Sequence, residues 1–124
     1  MSVSRVVPNI RSDRFDECRT FYVELLGFEI AMDMGWIMTF VSPTNPTAQI
    51  SVMRSDATAP VVPQLSVEVA DVDAVHAEAV RRGLEIVYPL TDESWGVRRF
   101  FVIDPNTTLL DQCRASENRL ISRK

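Results

Sequence analysis

Histidine is nearly absent from this sequence. His76 is the only one among 124 residues, and it lies in a predicted helix. Transition-metal centres use imidazole or thiolate side chains or several carboxylates, and Ser-His-Asp and Cys-His sites need a histidine beside the nucleophile. No nucleophile motif accompanies His76. The sequence therefore argues against both classes of active site, and we interpret His76 as a residue of the helix surface or of its boundary with the core.

Cysteine and glycine are also scarce. The two cysteines, Cys18 and Cys113, lie far apart with no CxxC spacing, which favours two reduced thiols over a disulfide or a redox role. Four glycines in the whole chain leave no room for a glycine-rich loop that would cradle a phosphate group. Dithiol chemistry and phosphate-loop chemistry are therefore not expected.

Long apolar runs and clustered positive charge are missing too. No run approaches the ~20 residues of a membrane-spanning helix, and the N-terminus lacks the layout of a secretory signal. The net charge is −4, and basic residues are scattered apart from the pairs Arg81-Arg82 and Arg98-Arg99, unlike the basic stripe of a nucleic-acid interface. We therefore expect a cytoplasmic protein that binds neither membranes nor nucleic acids.

What the sequence does contain is one unit used twice. Gly27-Phe28-Glu29-Ile30 returns 56 residues later as Gly83-Leu84-Glu85-Ile86, in each case where an amphipathic helix gives way to a strand. The other two glycines each adjoin one of the only two tryptophans, in Gly35-Trp36 and Trp95-Gly96. This correspondence predicts one duplicated domain of the α+β class rather than an array of short repeats.

Each unit is predicted as a strand, a helix and three further strands. Ser12 or Asp13 can cap the first helix and Asp71 the second. The predicted strands are 3–10, 28–32, 36–41 and 48–53 in the first unit and 64–69, 84–88, 95–103 and 108–113 in the second. The chain is thus predicted as a single domain, 1–124, with module one at 3–55, a linker at 56–63, module two at 64–113 and a polar tail at 114–124.

The motifs, in this order, resemble the vicinal oxygen chelate superfamily, which holds glyoxalase I, extradiol dioxygenases, fosfomycin-resistance enzymes and bleomycin-resistance proteins. The resemblance rests on Phe21-Tyr22, Leu25-Leu26-Gly27-Phe28-Glu29, the stretch 67–73, Gly83, Trp95-Gly96 and Asp104-Pro105-Asn106. It implies two tandem βαβββ modules that form a cupped mixed sheet with the helices outside. It also implies a homodimer as the usual assembly.

The resemblance further implies where a divalent metal would be held, by His, Glu or Gln side chains from four strands. Those positions carry Val7, Gln49, Gln64 and Asp111, with Asn9 two residues after the first of them and on the same face. Two amides and one carboxylate are poor ligands for Zn²⁺, Ni²⁺ or Fe²⁺, and a site for Mg²⁺ or Ca²⁺ would want more negative charge. We therefore expect no metal and no other cofactor. The glycine usual after the Asp-Pro turn of the family is replaced here by Thr107.

A small-molecule cavity in the cup is the remaining expectation, because an apolar pocket with a few convergent polar groups is the usual form of such a site. We predict that its polar groups are Asn9, Gln49, Gln64 and Asp111, and that Met34, Met38, Trp36 and Trp95 supply apolar surface. Arg98 and Arg99 point to opposite faces of their strand, and we assign Arg98 to the cavity. Alternatively, both tryptophans are sheet packing and the polar groups satisfy one another.

Three functional hypotheses follow from the resemblance. The first is a metal-free binding protein, like the bleomycin-resistance branch, that holds a small organic molecule between cupped sheets. The second is an enzyme of the glyoxalase or dioxygenase type, which uses either a metal held by Gln49, Gln64 and Asp111 or acid–base chemistry through Asp111, the one candidate for a catalytic residue. The third is an interaction module whose cup is filled by side chains.

Overall fold

The structure is a computed structural model that describes residues 2–115. These residues form eight β-strands and two short helices, the first of which continues into a π-helical segment. In chain order the elements are β1 (Val3–Arg11), α1 (Phe15–Arg19), the π-helical segment (Thr20–Leu25), β2 (Glu29–Asp33), β3 (Ile37–Val41), β4 (Gln49–Met53), β5 (Leu65–Val69), α2 (Val72–Arg81), β6 (Ile86–Asp92), β7 (Val97–Ile103) and β8 (Leu109–Ala115). The predicted polar tail lies outside the described residues except for its first two, which belong to β8.

All eight strands belong to one mixed sheet in the order β2-β3-β4-β1-β5-β8-β7-β6. Within each module the first and last strands are parallel, and the other neighbours are antiparallel. The modules join where β1 and β5 pair antiparallel at the centre. This topology confirms the predicted α+β fold of two tandem βαβββ modules.

The sheet curls without closing. β2 and β6 end the strand order and do not pair with each other. The segments that precede β3 and β7 nevertheless meet, because the rings of Trp36 and Trp95 lie 5.3 Å apart in an edge-to-face arrangement. Two elements from opposite halves of the strand order therefore approach across the concave side.

The helices cover the convex face, each over the strands of its own module. Phe15 of α1 packs in a buried cluster with Met38, Phe40 and Val52. Burying a side chain of this size contributes roughly 1.5–3 kcal/mol, so fully buried Phe40 is a main anchor of the first module. Met38, which was predicted for the cavity, lies instead in this cluster, because it alternates with the inward-facing residues of β3.

The second module has an equivalent core on the same face. Val72 and Ala79 of α2 pack with Val69, Phe100 and Val102. The predicted cap of this helix is present, because the Asp71 side chain accepts the Ala74 N–H at 3.0 Å. Among residues 2–115 no helix has the length and apolar character needed to cross a membrane.

The first helix departs from the prediction at its start and in its second half. It begins at Phe15 without a side-chain cap, because the Ser12 hydroxyl accepts the N–H of Arg14, immediately before the helix. Its second half is π-helical and ends before Gly27, whose φ of 78° is a conformation that glycine adopts without strain. In this segment the Tyr22 ring packs 4.9 Å from the ring of Phe40.

β6 is longer than predicted and passes through Pro89. Proline cannot donate a ladder hydrogen bond, so a strand that contains it is confined to a sheet edge, and β6 is an edge strand. The predicted end of this strand at residue 88 is therefore wrong. The pairing of β6 with β7 shifts register between Ile86 and Tyr88 and again between Tyr88 and Thr91.

The turn between β7 and β8 forms without the usual glycine. Thr107 adopts a φ of 64°, and its N–H donates to the Asp104 carbonyl at 3.0 Å. The Asp104 carboxylate accepts the N–H groups of Asn106 and Thr108, both at 2.8 Å. The two strands then pair without a register shift, and Asp111 lies opposite Phe101.

Candidate functional site

The concave face of the sheet encloses a cavity of about 840 Å³. Successive side chains of a strand point to opposite faces, so alternate residues of the central strands form the wall. Its inward positions are Arg5, Val7 and Asn9 on β1, Gln49, Ser51 and Met53 on β4, Ser66 and Glu68 on β5, and Asp111 and Cys113 on β8. A volume of this order suits a small organic molecule.

Asp111 is the buried carboxyl group of this wall. Only 6% of the residue is exposed. Its Oδ2 accepts the Ser66 hydroxyl at 3.0 Å, and that hydroxyl accepts the Asn9 amide at 2.9 Å. Among residues 2–115 no group donates to Oδ1, which is buried. Asp111 thus has one satisfied oxygen and one oxygen able to accept a further hydrogen bond.

The protonation of Asp111 is set by its burial. Burial raises its pKa to about 6, against the opposing effects of the Arg99 charge and the Ser66 hydrogen bond. Desolvation disfavours the charged form of a carboxyl group. Asp111 can therefore exchange a proton near neutral pH.

Behind Asp111 lies a buried ion network centred on Arg99. Its Nη1 and Nη2 donate to the two carboxylate oxygens of Asp56 at 2.8 and 2.6 Å, and its Nε donates to Glu93 at 2.7 Å. The Thr58 hydroxyl joins both sides, because it accepts from Arg99 Nη2 at 3.0 Å and donates to Glu93 at 2.7 Å. Arg99 Nη1 is 4.0 Å from Asp111 Oδ2, too far for a hydrogen bond.

This network holds its charges against strong desolvation. Burial works to raise the pKa of Asp56, but hydrogen bonds from Arg99 and from the backbone of Ala59 and Thr58 outweigh it, and the pKa lies below its ordinary value. Burial likewise opposes the charge on Arg99, yet its carboxylate partners raise the pKa of the guanidinium. Both groups therefore stay ionised at neutral pH.

A second guanidinium lies in the cavity wall itself. Arg5 Nη1 donates to Gln49 Oε1 at 2.6 Å and Arg5 Nε donates to Glu68 at 3.0 Å. The three residues belong to β4, β1 and β5, neighbouring strands of the sheet. The side-chain oxygen of Gln49 is therefore already committed to a positively charged partner.

The tryptophans differ in their relation to the cavity. Trp95 lines it, and its buried indole Nε1 finds no acceptor among residues 2–115. The Arg99 guanidinium lies 4.9 Å from the Trp95 ring, a cation–π arrangement. Trp36 is not part of the wall but contacts Trp95 edge-to-face.

Five of the predicted site residues are brought together by the structure. Asn9, Met34, Gln49, Trp95 and Asp111 all line the cavity. Their proximity agrees with the predicted positions, and their roles in binding a ligand stay predictions. Trp36, Gln64 and Arg98 are placed elsewhere.

Gln64 and Arg98 face other partners. Gln64 precedes β5 and is exposed, and its Oε1 accepts the Leu109 N–H at 3.0 Å. Arg98 forms ion pairs with Asp73 at 2.7 Å and Asp92 at 3.2 Å. The assignment of Arg98 to the inner face is therefore wrong. Arg99 is the arginine on that face, where its side chain lies next to Asp111.

Several residues of the site were not predicted. Arg5 precedes Val7 by two residues and Ser66 follows Gln64 by two, so strand alternation could have placed both on the inner face. Glu93 lies between the predicted strands 84–88 and 95–103 and was assigned to neither. Asp56 is a polar linker residue whose partner Arg99 is 43 positions away, and no local pattern marks such a pair.

The donor groups do not fit a transition-metal ion. Of the four positions implied by the resemblance, Val7 has no ligating atom, Gln64 bonds to backbone, and Gln49 is held by Arg5. Asp111 remains as the one carboxylate. Within residues 2–115 no three His, Cys, Asp or Glu side chains converge in a way that could hold a metal. His76 lies instead with its ring 4.9 Å from that of Phe100.

Comparison with known proteins gives one family match. The family model described as the Glyoxalase/Bleomycin resistance protein/Dioxygenase superfamily matches residues 3–111. No curated protein matches the sequence significantly.

Solved structures of the same fold include three that span nearly the whole chain. A glyoxalase/bleomycin resistance protein/dioxygenase superfamily member from Vibrio splendidus has a TM-score of 0.68 at 17% identity, covering 91% of this chain and 99% of its own. A methylmalonyl-CoA epimerase from Streptomyces coelicolor has a TM-score of 0.67 at 18% identity, covering 92% and 99%. A protein from Legionella pneumophila described as an NAD-dependent benzaldehyde dehydrogenase has a TM-score of 0.70 at 17% identity, covering 90% and 99%. At these identities the likeness shows the fold alone.

Proposed function

The chain belongs to the glyoxalase/bleomycin resistance protein/dioxygenase superfamily, and on that premise we propose that it binds a small organic molecule in the concave cavity without a transition-metal ion. One observation carries this function. A cavity of about 840 Å³ is lined by a buried carboxyl group, Asp111, one oxygen of which has no hydrogen-bond donor among residues 2–115. A buried acceptor without a donor costs roughly 1–3 kcal/mol, so a bound molecule that supplies the donor recovers this free energy.

The composition of the cavity wall supports a ligand that has both apolar and polar parts. Val7, Ile37 and Met53 offer apolar surface, and Asn9 and Asp111 offer polar groups. Pockets of this type take their affinity from the apolar contacts and their orientation from the few polar ones. A ligand with an apolar body and at least one hydrogen-bond donor matches this wall.

A ligand screen followed by amide NMR spectroscopy tests the binding function. We expect at least one compound from a library of small organic molecules to shift the indole signal of Trp95 and the backbone signals of Ser66 and Asp111. Leu25, exposed on the π-helical segment, serves as a reference signal that should not move. A screen in which no compound perturbs the cavity signals would contradict the proposal.

Elemental analysis tests the metal-independent part separately. Protein purified without chelators should contain no stoichiometric Zn, Ni, Fe or Mn, because Gln49 and Gln64 are committed to Arg5 and to backbone. The metal-independent part would be overturned if the protein held one equivalent of any of these metals and if a chelator removed both the metal and ligand binding.

An acid–base enzyme is the second candidate, and one observation favours it. The pKa of Asp111 is raised by burial to about 6, and a general acid or base works best when its pKa is near the operating pH. In this function Asp111 would take a proton from the bound molecule or return one to it. Exchange of solvent deuterium into a bound compound, lost in Asp111→Asn, is the test.

The homodimer implied by the family resemblance stays a prediction. Its measurement is the molar mass in solution by sedimentation equilibrium. A mass equal to that of one chain at all concentrations would contradict it.

A further inference from the structure

The buried charges next to the cavity are unequal in number. Asp56, Glu93 and Asp111 surround a single cation, Arg99, and the side chains of all four are at most 8% exposed. Buried charges cost free energy unless they are paired. One guanidinium therefore faces three carboxyl groups in a region that water hardly reaches.

The hydrogen bonds of Arg99 are given to two of the three carboxyl groups. Nη1 and Nη2 donate to the Asp56 carboxylate, and Nε donates to the Glu93 carboxylate. Asp111 is left at 4.0 Å from the nearest nitrogen of Arg99, and among residues 2–115 its one hydrogen-bond donor is Ser66. Asp111 is thus the member of the cluster whose negative charge is least compensated.

The described part of the chain, residues 2–115, offers no unpaired positive charge elsewhere in the cavity wall. Two further arginine residues belong to the wall, and each guanidinium has an acidic partner. Arg5 lies 3.0 Å from Glu68, and Arg114 lies 3.7 Å from Asp73, which also pairs with Arg98. Among residues 2–115 the compensating group for Asp111 is therefore not supplied by the chain.

We propose that the ligand of this cavity carries a basic nitrogen, an organic ammonium group whose N–H donates to the Asp111 carboxylate, an inference that rests on the proposed binding function. The ammonium group supplies both the hydrogen bond and the positive charge that the cluster lacks. The terminal torsion of an aspartate is soft, so a small rotation brings Oδ1 to the cavity surface. The apolar part of the ligand lies against Val7 and Met53.

Three matched probes test this ligand class: 4-phenylbutylamine, 4-phenylbutan-1-ol and 4-phenylbutyrate. They share one apolar body and end in a cation, a neutral donor and an anion. At slightly alkaline pH we expect the amine to bind at least about tenfold more tightly than the alcohol, a difference of about 1.4 kcal/mol, and the carboxylate to bind least. NMR titration of the Trp95 indole and Ser66 amide signals gives the dissociation constants.

Two variants show whether Asp111 causes the preference. Asp111→Asn should reduce the advantage of the amine over the alcohol to within about twofold while the alcohol still binds. Asp92→Asn removes an equal charge from the outer side of the sheet, where Asp92 pairs with Arg98, and should leave the preference unchanged.

A pH titration of wild-type protein is independent of any variant. The charged or titratable groups that face Asp111 are Arg99 on β7, Asp56 in the linker, Glu93 after β6 and Cys113 on its own strand. As Asp111 gains a proton below about pH 6, the affinity for the amine should fall while that for the alcohol stays level.

The outcomes separate the ligand class from the binding function. Equal affinities for amine and alcohol in wild-type protein would overturn the basic nitrogen and leave cavity binding intact. An amine preference that survives in Asp111→Asn, or that is independent of pH, would also overturn it. If none of the three probes perturbs the cavity signals, both this ligand class and the proposed binding of aryl-alkyl molecules fail together.

Discussion

Asp56 and Arg99 form a two-pronged ion pair, with Nη1 to Oδ2 at 2.8 Å and Nη2 to Oδ1 at 2.6 Å. Both side chains are almost completely buried. Asp56 belongs to the segment between the modules and Arg99 to β7, so the pair fastens that segment to the second module beside the cavity. The connection between the modules is therefore anchored to the folded second module at Asp56.

Breaking this buried ion pair should lower the free energy of unfolding more than breaking an exposed ion pair does. We expect Asp56→Asn to lower the free energy of unfolding by about 3 kcal/mol, because the asparagine amide puts a donor in place of one acceptor of the buried Arg99 guanidinium. Asp73→Asn is the matched control, since Asp73 pairs with Arg98 at the surface and exposed pairs contribute only ~0–1 kcal/mol. Urea unfolding measures both. Equal losses in the two variants would show that the buried network has no special role in stability.

Asp111 should make the stability of the protein depend on pH in one direction. Its pKa is raised from the ordinary 3.8 to about 6 in the folded state, so between these values the folded state binds more protons than the unfolded state. Stability therefore falls as pH rises through this window. The difference between the two pKa values corresponds to about 3 kcal/mol.

Comparison of wild type with Asp111→Asn isolates this contribution. From below pH 3.8 to above about pH 6, the variant should gain about 3 kcal/mol relative to wild type, measured by urea unfolding at each pH. Asp13→Asn, a change at an exposed pair with Arg11, should run nearly parallel to wild type. A wild-type curve that keeps a constant distance from that of Asp111→Asn would contradict the raised pKa.

Thr107 holds a conformation that suits glycine better. A side chain with a Cβ pays ~1–2 kcal/mol at positive φ, and glycine loses ~0.5–1 kcal/mol more backbone entropy on folding. With φ at 64°, Thr107→Gly should therefore raise the free energy of unfolding by up to ~1 kcal/mol, seen as a higher thermal midpoint. Thr107→Ala keeps the Cβ and should show no comparable gain. A lower midpoint for the glycine variant would refute this explanation of the turn.

Thr39 and Ser51 should act as a coupled pair. Their hydroxyls are 2.7 Å apart, both residues are buried, and they are cross-strand neighbours on β3 and β4. Thr39→Val or Ser51→Ala alone should cost ~1–3 kcal/mol, because each leaves a buried hydroxyl without its partner. The double variant should cost less than the sum. Strict additivity in denaturant unfolding would mean that the hydrogen bond contributes nothing.

The fold could be predicted because its signals are local and periodic. Gly27 and Gly83 end the helical segments with positive φ, as their place after an apolar helical pattern predicted. Alternation along strands then brought Asn9, Gln49 and Asp111 to one face. The alternation rule failed for Gln64. This residue lies just before β5, where alternation no longer holds, and its side chain bonds to the backbone instead.

The charged part of the site was beyond local reasoning. Alternation states that Arg98 and Arg99 face opposite sides but not which side is inner, and that choice depends on the turn before β7. Asp56 and Thr58 sit in a polar segment whose composition is typical of a linker. Their contacts with the site arise only when β7 brings Arg99 to them from 43 and 41 residues away.

The edges of the sheet have a consequence for how copies of this chain can meet. An edge strand exposes unpaired backbone groups and invites pairing with another chain. On β6, Pro89 removes one donor and two register shifts bend the ladder, and on β2 the register shifts between Ile30 and Met32. A straight incoming strand would meet an interrupted row of donors on either side, so β6 and β2 disfavour fibre-like growth through strand addition. Side-chain surfaces are therefore a more favourable route to a stable pairing of two chains than these backbone edges.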